Sequence, residues 1–157
     1  MSLQKELGLP NPITDSAHEA IMNIVLTGEI LAKEGQRIFR PLGLTDSQFN
    51  VLIILRYQAE EDGITQTELG ERLLVNRSNV TGLVDRMEEA GWVKRTPVEG
   101  DRRVNKVQIT RQGTNLLERA EKTYYERIRQ VMGNLAKKDL AALCSLLQRI
   151  RTSLRET

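Results

Sequence analysis

The residues best suited to contact a partner lie in two polar clusters near the middle of the chain. One cluster has side chains that reach base edges or phosphates: Arg77, Ser78, Asn79, Thr81 and Arg86. The other is Asp101-Arg102-Arg103, in which a carboxylate can hold a neighbouring guanidinium in one pose. An extended arginine fits the narrow minor groove of A·T-rich DNA, where the negative potential is enhanced. Together the two clusters predict contacts with double-stranded DNA.

The first cluster lies at the start of a predicted helix. Asn76 is a favourable N-cap, and Gly91 is placed to end the helix. Apolar residues at helical spacing predict its buried stripe: Val80, Leu83, Val84 and Met87. The polar cluster is then on the opposite, exposed face, where the free N–H groups of the first turn also favour phosphate. A short helix precedes this one, because Thr65 and Glu68 form a capping box.

Alternating residues predict that the second cluster lies on a β-hairpin. Val93 and Arg95 share one face of a first strand that ends at Pro97, and a Gly-containing loop follows. Val107 and Ile109 share one face of the second strand. Two helices followed by a hairpin are the plan of a winged helix-turn-helix, which inserts its second helix into the major groove.

A long helix and an arm are predicted at the N-terminus. Ser16 and Glu19 form a capping box, and apolar residues recur at helical spacing up to about Arg40. Gly28 and Gly35 within this helix indicate the close approach of another helix. Residues 1–13 contain two prolines, which predicts a loosely docked arm without a helix.

Further helices are predicted before the helix pair and after the hairpin. Thr45 and Gln48 form a capping box for a helix with a predicted buried stripe of Phe49, Leu52, Ile53 and Tyr57. Thr110 begins another helix, which Gly133-Asn134 interrupts. The last helix has a stripe of apolar residues: Leu140, Leu143, Leu147, Ile150 and Leu154.

The predicted fold class is mainly α with a small β-hairpin wing. We expect an N-terminal arm and dimerisation helix over 1–40, a winged helix-turn-helix over 41–110 and C-terminal dimerisation helices over 111–157. The outer helices have more apolar surface than a small winged lobe can cover, which predicts a homodimer. Two-fold symmetry would place two recognition helices about 34 Å apart, one turn of DNA.

Composition excludes several other classes of protein. One Cys and one His among 157 residues predict neither a disulfide framework nor a metal site. No nucleophile–base motif or Gly-rich phosphate loop is present, so we expect no catalytic residues, no enzyme activity and no cofactor. The longest apolar stretch, Val51 to Leu55, is far below the roughly 20 residues of a membrane helix. With no secretory signal pattern at the N-terminus, this predicts a cytoplasmic protein with no membrane partner.

The charged residues are unevenly distributed along the chain. Residues 1–70 contain 5 basic and 10 acidic residues, 71–111 contain 9 and 6, and 112–157 contain 9 and 5. The middle and end of the chain are therefore basic relative to the start, which is compatible with a polyanionic partner.

These stretches resemble the MarR (multiple-antibiotic-resistance regulator) family of bacterial winged-helix transcription regulators. The resemblance rests on residues 44–52, 66–73 and 76–93, on Asp101-Arg102-Arg103, on 107–110 and on Gly113. It implies a homodimer with interleaved terminal helices that regulates transcription, here as a repressor at a palindromic operator. Major-groove contacts are implied for Arg77, Ser78, Asn79 and Thr81. Arg103 is implied to enter the minor groove, oriented by Asp101, whereas Gly82 departs from the larger polar residue that the family often has.

Members of the family often bind phenolic or other small aromatic acids in a crevice beside the dimer helices. By position, the residues that would line such a crevice here are His18, Met22, Arg37 and Tyr57. A capping or interface role for His18 is the competing interpretation. Cys144 is expected to be a small buried side chain, with a redox-responsive regulator as the alternative. Two further alternatives are a winged-helix module that binds protein and a metal-sensing regulator. The metal sensor is disfavoured because one Cys and one His cannot supply a set of soft metal ligands.

Overall fold

The computed structural model describes residues 3–60, 62–73, 80–98 and 101–156, and for 101–103 the backbone only. The helices and strands follow the order α1–α2–α3–β1–α4–α5–β2–β3–α6–α7, with a 3-10 turn at Arg40–Leu42 between α2 and α3. The helices are α1 Leu3–Glu6, α2 Ser16–Phe39, α3 Asp46–Tyr57, α4 Gln66–Arg72, α5 Val80–Glu89, α6 Arg111–Met132 and α7 Lys137–Ser153. The strands are β1 Ile64–Thr65, β2 Val93–Val98 and β3 Asp101–Ile109. The chain divides into two compact units, the first ending at Ala120 and the second beginning at Glu121.

The predicted hairpin is present and belongs to a three-stranded antiparallel sheet of order β1-β3-β2. Val93 pairs with Ile109 at the base of the hairpin, and Ile64 of β1 pairs with Val107. The strand β1 has only two residues and was not predicted from the sequence. The expectation that Pro97 ends the first strand is wrong, since β2 continues to Val98. Its position on an edge strand, next to a register shift, lets a residue without an N–H remain in the sheet.

The core of the first unit lies between α3, α4, α5, the start of α6 and the inner face of the sheet. Its fully buried side chains are Phe39, Val51, Leu52, Leu69, Val84, Met87, Val93, Val107 and Leu117. The rings of Phe39 and Phe49 stack with their centroids 4.4 Å apart, which joins the end of α2 to α3. This core supports α5 and the hairpin, the two elements that carry the predicted DNA contacts.

The predicted burial of α3 is partly wrong. Phe49 and Leu52 are buried as expected, but Ile53 is half-buried and Tyr57 is 61% exposed. The other buried apolar residues of the helix are Val51, Ile54 and Leu55. Because α3 contacts α2, α4, α5 and β3, it is covered around much of its circumference rather than along one stripe. Tyr57 is the last residue of the helix.

The helix starts follow the predicted capping boxes in two of three cases. Thr45 with Gln48 and Thr65 with Glu68 each form both hydrogen bonds of the box. The box predicted for Ser16 is wrong, because the N-cap of α2 is Asp15, whose Oδ1 accepts a hydrogen bond from the backbone N–H of His18 at 2.8 Å. That bond lowers the pKa of Asp15, as expected for a carboxylate at the positive end of a helix.

The N-terminal arm contains a single helical turn, contrary to the prediction. Leu3 is buried. The helix α1 ends in a Schellman motif, in which the N–H of Gly8 donates to the carbonyl of Lys5 and the N–H of Leu9 donates to the carbonyl of Gln4. Gly8 has φ of 62°, so it supplies the left-handed residue that this motif requires. Both prolines follow the turn and do not interrupt it.

The two glycines of α2 differ in their surroundings. A Cβ at Gly35 would lie 2.1 Å from Oδ1 of Asp46, so the predicted close approach of another helix is confirmed there. At Gly28 the prediction is wrong for a single chain, since no described atom outside its own helix lies within 4 Å of the corresponding position.

The second unit contains the end of α6 and all of α7. The interruption predicted at Gly133-Asn134 is confirmed, because α6 ends at Met132 and α7 begins at Lys137. None of the residues of α7 is buried. Cys144 on this helix is exposed, so the expectation of a buried thiol is wrong. Among the described helices, none is both long enough and apolar enough to cross a membrane.

Candidate nucleic-acid interface

The described part of α5 separates buried from exposed residues as the sequence predicts. Leu83, Val84 and Met87 are buried, whereas Thr81 and Arg86 are exposed. The predicted burial of Val80 is wrong, since this first residue of the helix is only half-buried. Because the buried side packs against the core, the other side is free to meet a partner. The predicted N-cap Asn76 and the predicted contacts Arg77, Ser78 and Asn79 lie outside the described residues, so their roles stay predictions.

The hairpin of β2 and β3 forms the wing, residues 93–109. Its base is the Val93–Ile109 pair, and its far end is the pair of Val98 with Asp101. The backbone therefore places the cluster 101–103 at the far end of the wing. The side chains of Asp101, Arg102 and Arg103 are outside the described part, and their contacts with DNA stay predictions.

Arg95 joins the wing to α5 through three hydrogen bonds. Its Nη2 donates to Oδ1 of Asp85 and its Nη1 to Oε2 of Glu88, both at 2.5 Å. Its backbone N–H also donates to Oε1 of Glu88 at 2.8 Å. Burial alone would lower the pKa of Arg95, but the two carboxylates outweigh it and raise the pKa above its ordinary value. We call Arg95, Asp85 and Glu88 the wing clamp.

From the sequence, Arg95 is predicted to share one face of the first strand with Val93, but no role is assigned to it. The position itself was informative, because an arginine that faces inward needs carboxylate partners. Asp85 and Glu88 are three residues apart on the preceding helix, so their side chains project from the same region of its surface.

A second ion pair fixes the other side of the wing. Nζ of Lys106 on β3 lies 2.5 Å from Oδ2 of Asp62 and 3.9 Å from Oε2 of Glu60. The hydrogen bond to Asp62 is the main cause that raises the pKa of Lys106. This pair ties β3 to the loop before β1, whereas the wing clamp ties β2 to α5.

The base of the wing is closed by Thr110, which begins α6 as predicted. Its Oγ1 donates to the carbonyl of Gly91 at 2.7 Å and accepts from the N–H of Gly113 at 3.0 Å. A Cβ at Gly113 would lie 2.1 Å from the carbonyl oxygen of Trp92. Gly91 itself has φ of 73° and ends α5, as the sequence predicts. The turn between α5 and β2 is therefore held against the start of α6.

The four residues proposed to line a ligand crevice do not come together within one chain. His18 and Arg37 are both exposed on α2, where 19 residues separate them by about 28 Å. Met22 is half-buried and lies one helical turn from His18. Nη1 of Arg37 lies 3.7 Å from Oε1 of Glu34. Tyr57 is on another helix. A shared site would therefore need a second chain.

The geometry bears on the predicted absence of a metal site and on the alternative role of Cys144. Within the described ranges, no three His, Cys, Asp or Glu side chains are grouped so that they could hold a metal ion. The exposed thiol of Cys144 leaves the redox alternative as a prediction.

Known proteins resemble this chain in both sequence and fold. Residues 42–104 match the sequence profile of the MarR family. The HTH-type transcriptional regulator PecS of Dickeya dadantii (strain 3937) is 30% identical over 118 residues, which cover 75% of this chain and 71% of PecS.

Two solved structures share the fold. AbsC, a MarR family transcriptional regulator from Streptomyces coelicolor, superimposes with a TM-score of 0.81 at 24% identity, covering 94% of this chain and 99% of AbsC. CouR from Rhodococcus jostii RHA1, solved with bound p-coumaroyl-CoA, superimposes with a TM-score of 0.74 at 21% identity. The match covers 88% of this chain and 95% of CouR. At these identities the two structures establish the fold, which is a winged helix.

Proposed function

This chain belongs to the MarR family of transcriptional regulators, and we propose that it is a homodimeric, sequence-specific repressor that binds a palindromic operator in the cytoplasm. The observation that carries the proposal is the pairing of α5, with one buried and one exposed face, with a wing that is clamped to it. Such a pair can contact the major groove and the adjacent minor groove at the same time.

Within this proposal the predicted contacts have separate roles. Major-groove contacts are assigned to Arg77, Ser78, Asn79 and Thr81 at the start of the recognition helix. Arg86 is assigned to phosphate, because it lies further along the exposed side of α5. Arg103 is assigned to the minor groove, with Asp101 orienting it and Arg102 beside it.

Dimerisation is supported by the apolar side chains that a single chain leaves exposed. On α2 they are Ile21, Ile24, Val25, Ile30 and Leu31, and on α7 they are Leu143 and Leu146. In the 24 residues of α2 only Gly35 and Phe39 are buried, so one chain does not cover this helix. We assign residues 1–40 and 111–157 to the dimer and 41–110 to DNA binding.

Release by a small aromatic effector is the last part of the proposal. CouR binds an aromatic acyl thioester within the same fold. In this chain His18 and Met22 of one copy and Arg37 of the other would line a site only if the two α2 helices lie side by side. Titration of the protein–DNA complex with phenolic acids tests this. If none of these acids releases the DNA, phenolic acids are not the effectors of this regulator.

DNA binding is tested by measuring the dissociation constant for duplex DNA at several salt concentrations. A protein that contacts several phosphates loses affinity steeply between low and physiological salt, because it displaces condensed counterions. A winged-helix module that binds protein would show no such affinity for the duplex. On a cognate site, Arg77→Ala should reduce discrimination among operator variants, whereas an equal loss on all sequences would assign Arg77 to phosphate.

A further inference from the structure

The wing clamp does more than stabilise β2, the strand that carries Arg95. The Arg95 side chain is only 19% exposed, whereas its partners Asp85 and Glu88 are 49% and 38% exposed. One guanidinium therefore bridges two carboxylates at positions i and i+3 of α5. The Glu88 carboxylate in turn holds both the side chain and the backbone N–H of Arg95.

The clamp braces the turn between α5 and β2. Residues 90–92 connect α5 to β2 and form the corner between them. Asp85 lies about 7 Å before that corner along the helix, and Arg95 lies about 10 Å beyond it along the strand. The ion pair therefore closes a triangle, and a closed triangle resists a change in the angle between its two sides.

This angle determines where the tip of the wing lies relative to the recognition helix. From Val93 to the Val98–Asp101 pair the strand extends about 17 Å. A rotation of about 10° at the turn would move the tip by about 3 Å, which is more than a hydrogen bond tolerates. A wing that is free to rotate would thus place its arginine in the minor groove for only part of the time.

We propose that Arg95 is a positioning residue for DNA recognition, which holds the wing at a fixed angle to α5 so that both grooves are contacted together. The inference rests on the proposed DNA-binding function. Its consequence is that the contribution of the wing to affinity depends on Arg95, while the contribution of the helix does not. A residue that only stabilised the fold would weaken both contributions alike.

A double-mutant cycle on a cognate duplex tests this consequence. Arg95→Met keeps the aliphatic packing and removes the clamp, leaving two carboxylates that remain hydrated. Arg103→Ala should weaken binding by about tenfold in the wild-type background and by less than about threefold in the Arg95→Met background, because the wing is already displaced. Thr81→Ala, on the helix, should cause the same loss in both backgrounds.

Lys106→Met is the matched control. Lys106 is another cation of the wing with carboxylate partners, but it bridges to the loop before β1 and not to α5. In that background Arg103→Ala should keep its full effect. A second variant, Asp85→Asn with Glu88→Gln, breaks the clamp from the other side and should reproduce the Arg95→Met result.

Equal losses from Arg103→Ala with and without Arg95 would overturn the proposal, as would the same coupling in Lys106→Met. A measurement without DNA separates this from failure of the proposed function. Amide exchange across residues 93–109 should be faster in Arg95→Met than in the wild type, with α3 unchanged. Unchanged exchange in the wing would overturn the positioning role. If the wild-type protein binds no duplex but exchange in the wing is faster in Arg95→Met, the proposed DNA recognition is overturned. The role of the wing clamp in fixing the angle of the wing would then still hold.

Discussion

Replacing Ile21 and Val25 with alanine should separate the dimer without unfolding the chain. The two side chains lie one turn apart on α2 and are 49% and 51% exposed in a single chain. Since they are not part of the core of one lobe, the free energy of unfolding of that lobe should change little. Their exposed halves become buried only when a second copy is present.

The size of the effect follows from the exposed fractions. Complete burial of such a side chain contributes about 1.5–3 kcal/mol, so burial of the exposed half contributes about 1 kcal/mol. A two-fold symmetric interface contains each residue twice, which gives four side chains. Allowing for the methyl group that alanine retains, the double substitution should weaken dimerisation by about 3 kcal/mol, or about a hundredfold in the dissociation constant.

Sedimentation equilibrium over a dilution series measures this constant directly. Asn23→Ala is the matched control, because Asn23 is exposed and lies on the opposite side of the same helix from Ile21 and Val25, so this change should leave dimerisation unchanged. An unchanged dimer in Ile21→Ala with Val25→Ala, or a wild-type protein that sediments as a monomer, would refute the assignment of this face to the interface.

Two further predictions concern the supports of the lobe. Gly113→Ala should lower the free energy of unfolding by about 1–3 kcal/mol in urea titrations, since its Cβ would lie 2.1 Å from the carbonyl oxygen of Trp92; an equally stable variant would contradict that close approach. Glu68→Gln should lower the melting temperature at neutral pH, because hydrogen bonds from Thr65 lower the pKa of Glu68. Its stabilisation is complete above the ordinary glutamate pKa of about 4.3 and is lost as the pH falls through the lowered value, so a melting difference that persists at pH 2 would count against this role.

The features predicted correctly from the sequence are those that local patterns determine. The capping boxes at Thr45 and Thr65 were predictable because both partners lie within three residues of each other. The burial of Leu83, Val84 and Met87 on α5 was predictable from their spacing alone, although Val80 at the start of the helix is only half-buried. The cap at Asp15 was missed because Ser16 and Glu19 imitate the same pattern one residue later, and an aspartate gains more from the positive end of the helix.

The features that the sequence did not reveal depend on contacts across turns or between elements. The partners in the wing clamp are 7 and 10 residues apart and lie on different types of element. Strand β1 has two residues and is defined by its pairing with β3, not by any alternation of its own. Tyr57 is exposed although it lies on the predicted stripe, because it is the last residue of α3, and helical periodicity does not specify how far the packing of a helix extends.

Selection of bound sequences from a pool of random duplexes tests the central claim most directly. Two recognition helices carried on a symmetric dimer predict enrichment of an inverted repeat whose half-sites are centred about 10 base pairs apart, one turn of the duplex. Failure to enrich any sequence, or enrichment of one without a two-fold repeat, would contradict the account of this chain as a dimeric operator-binding regulator.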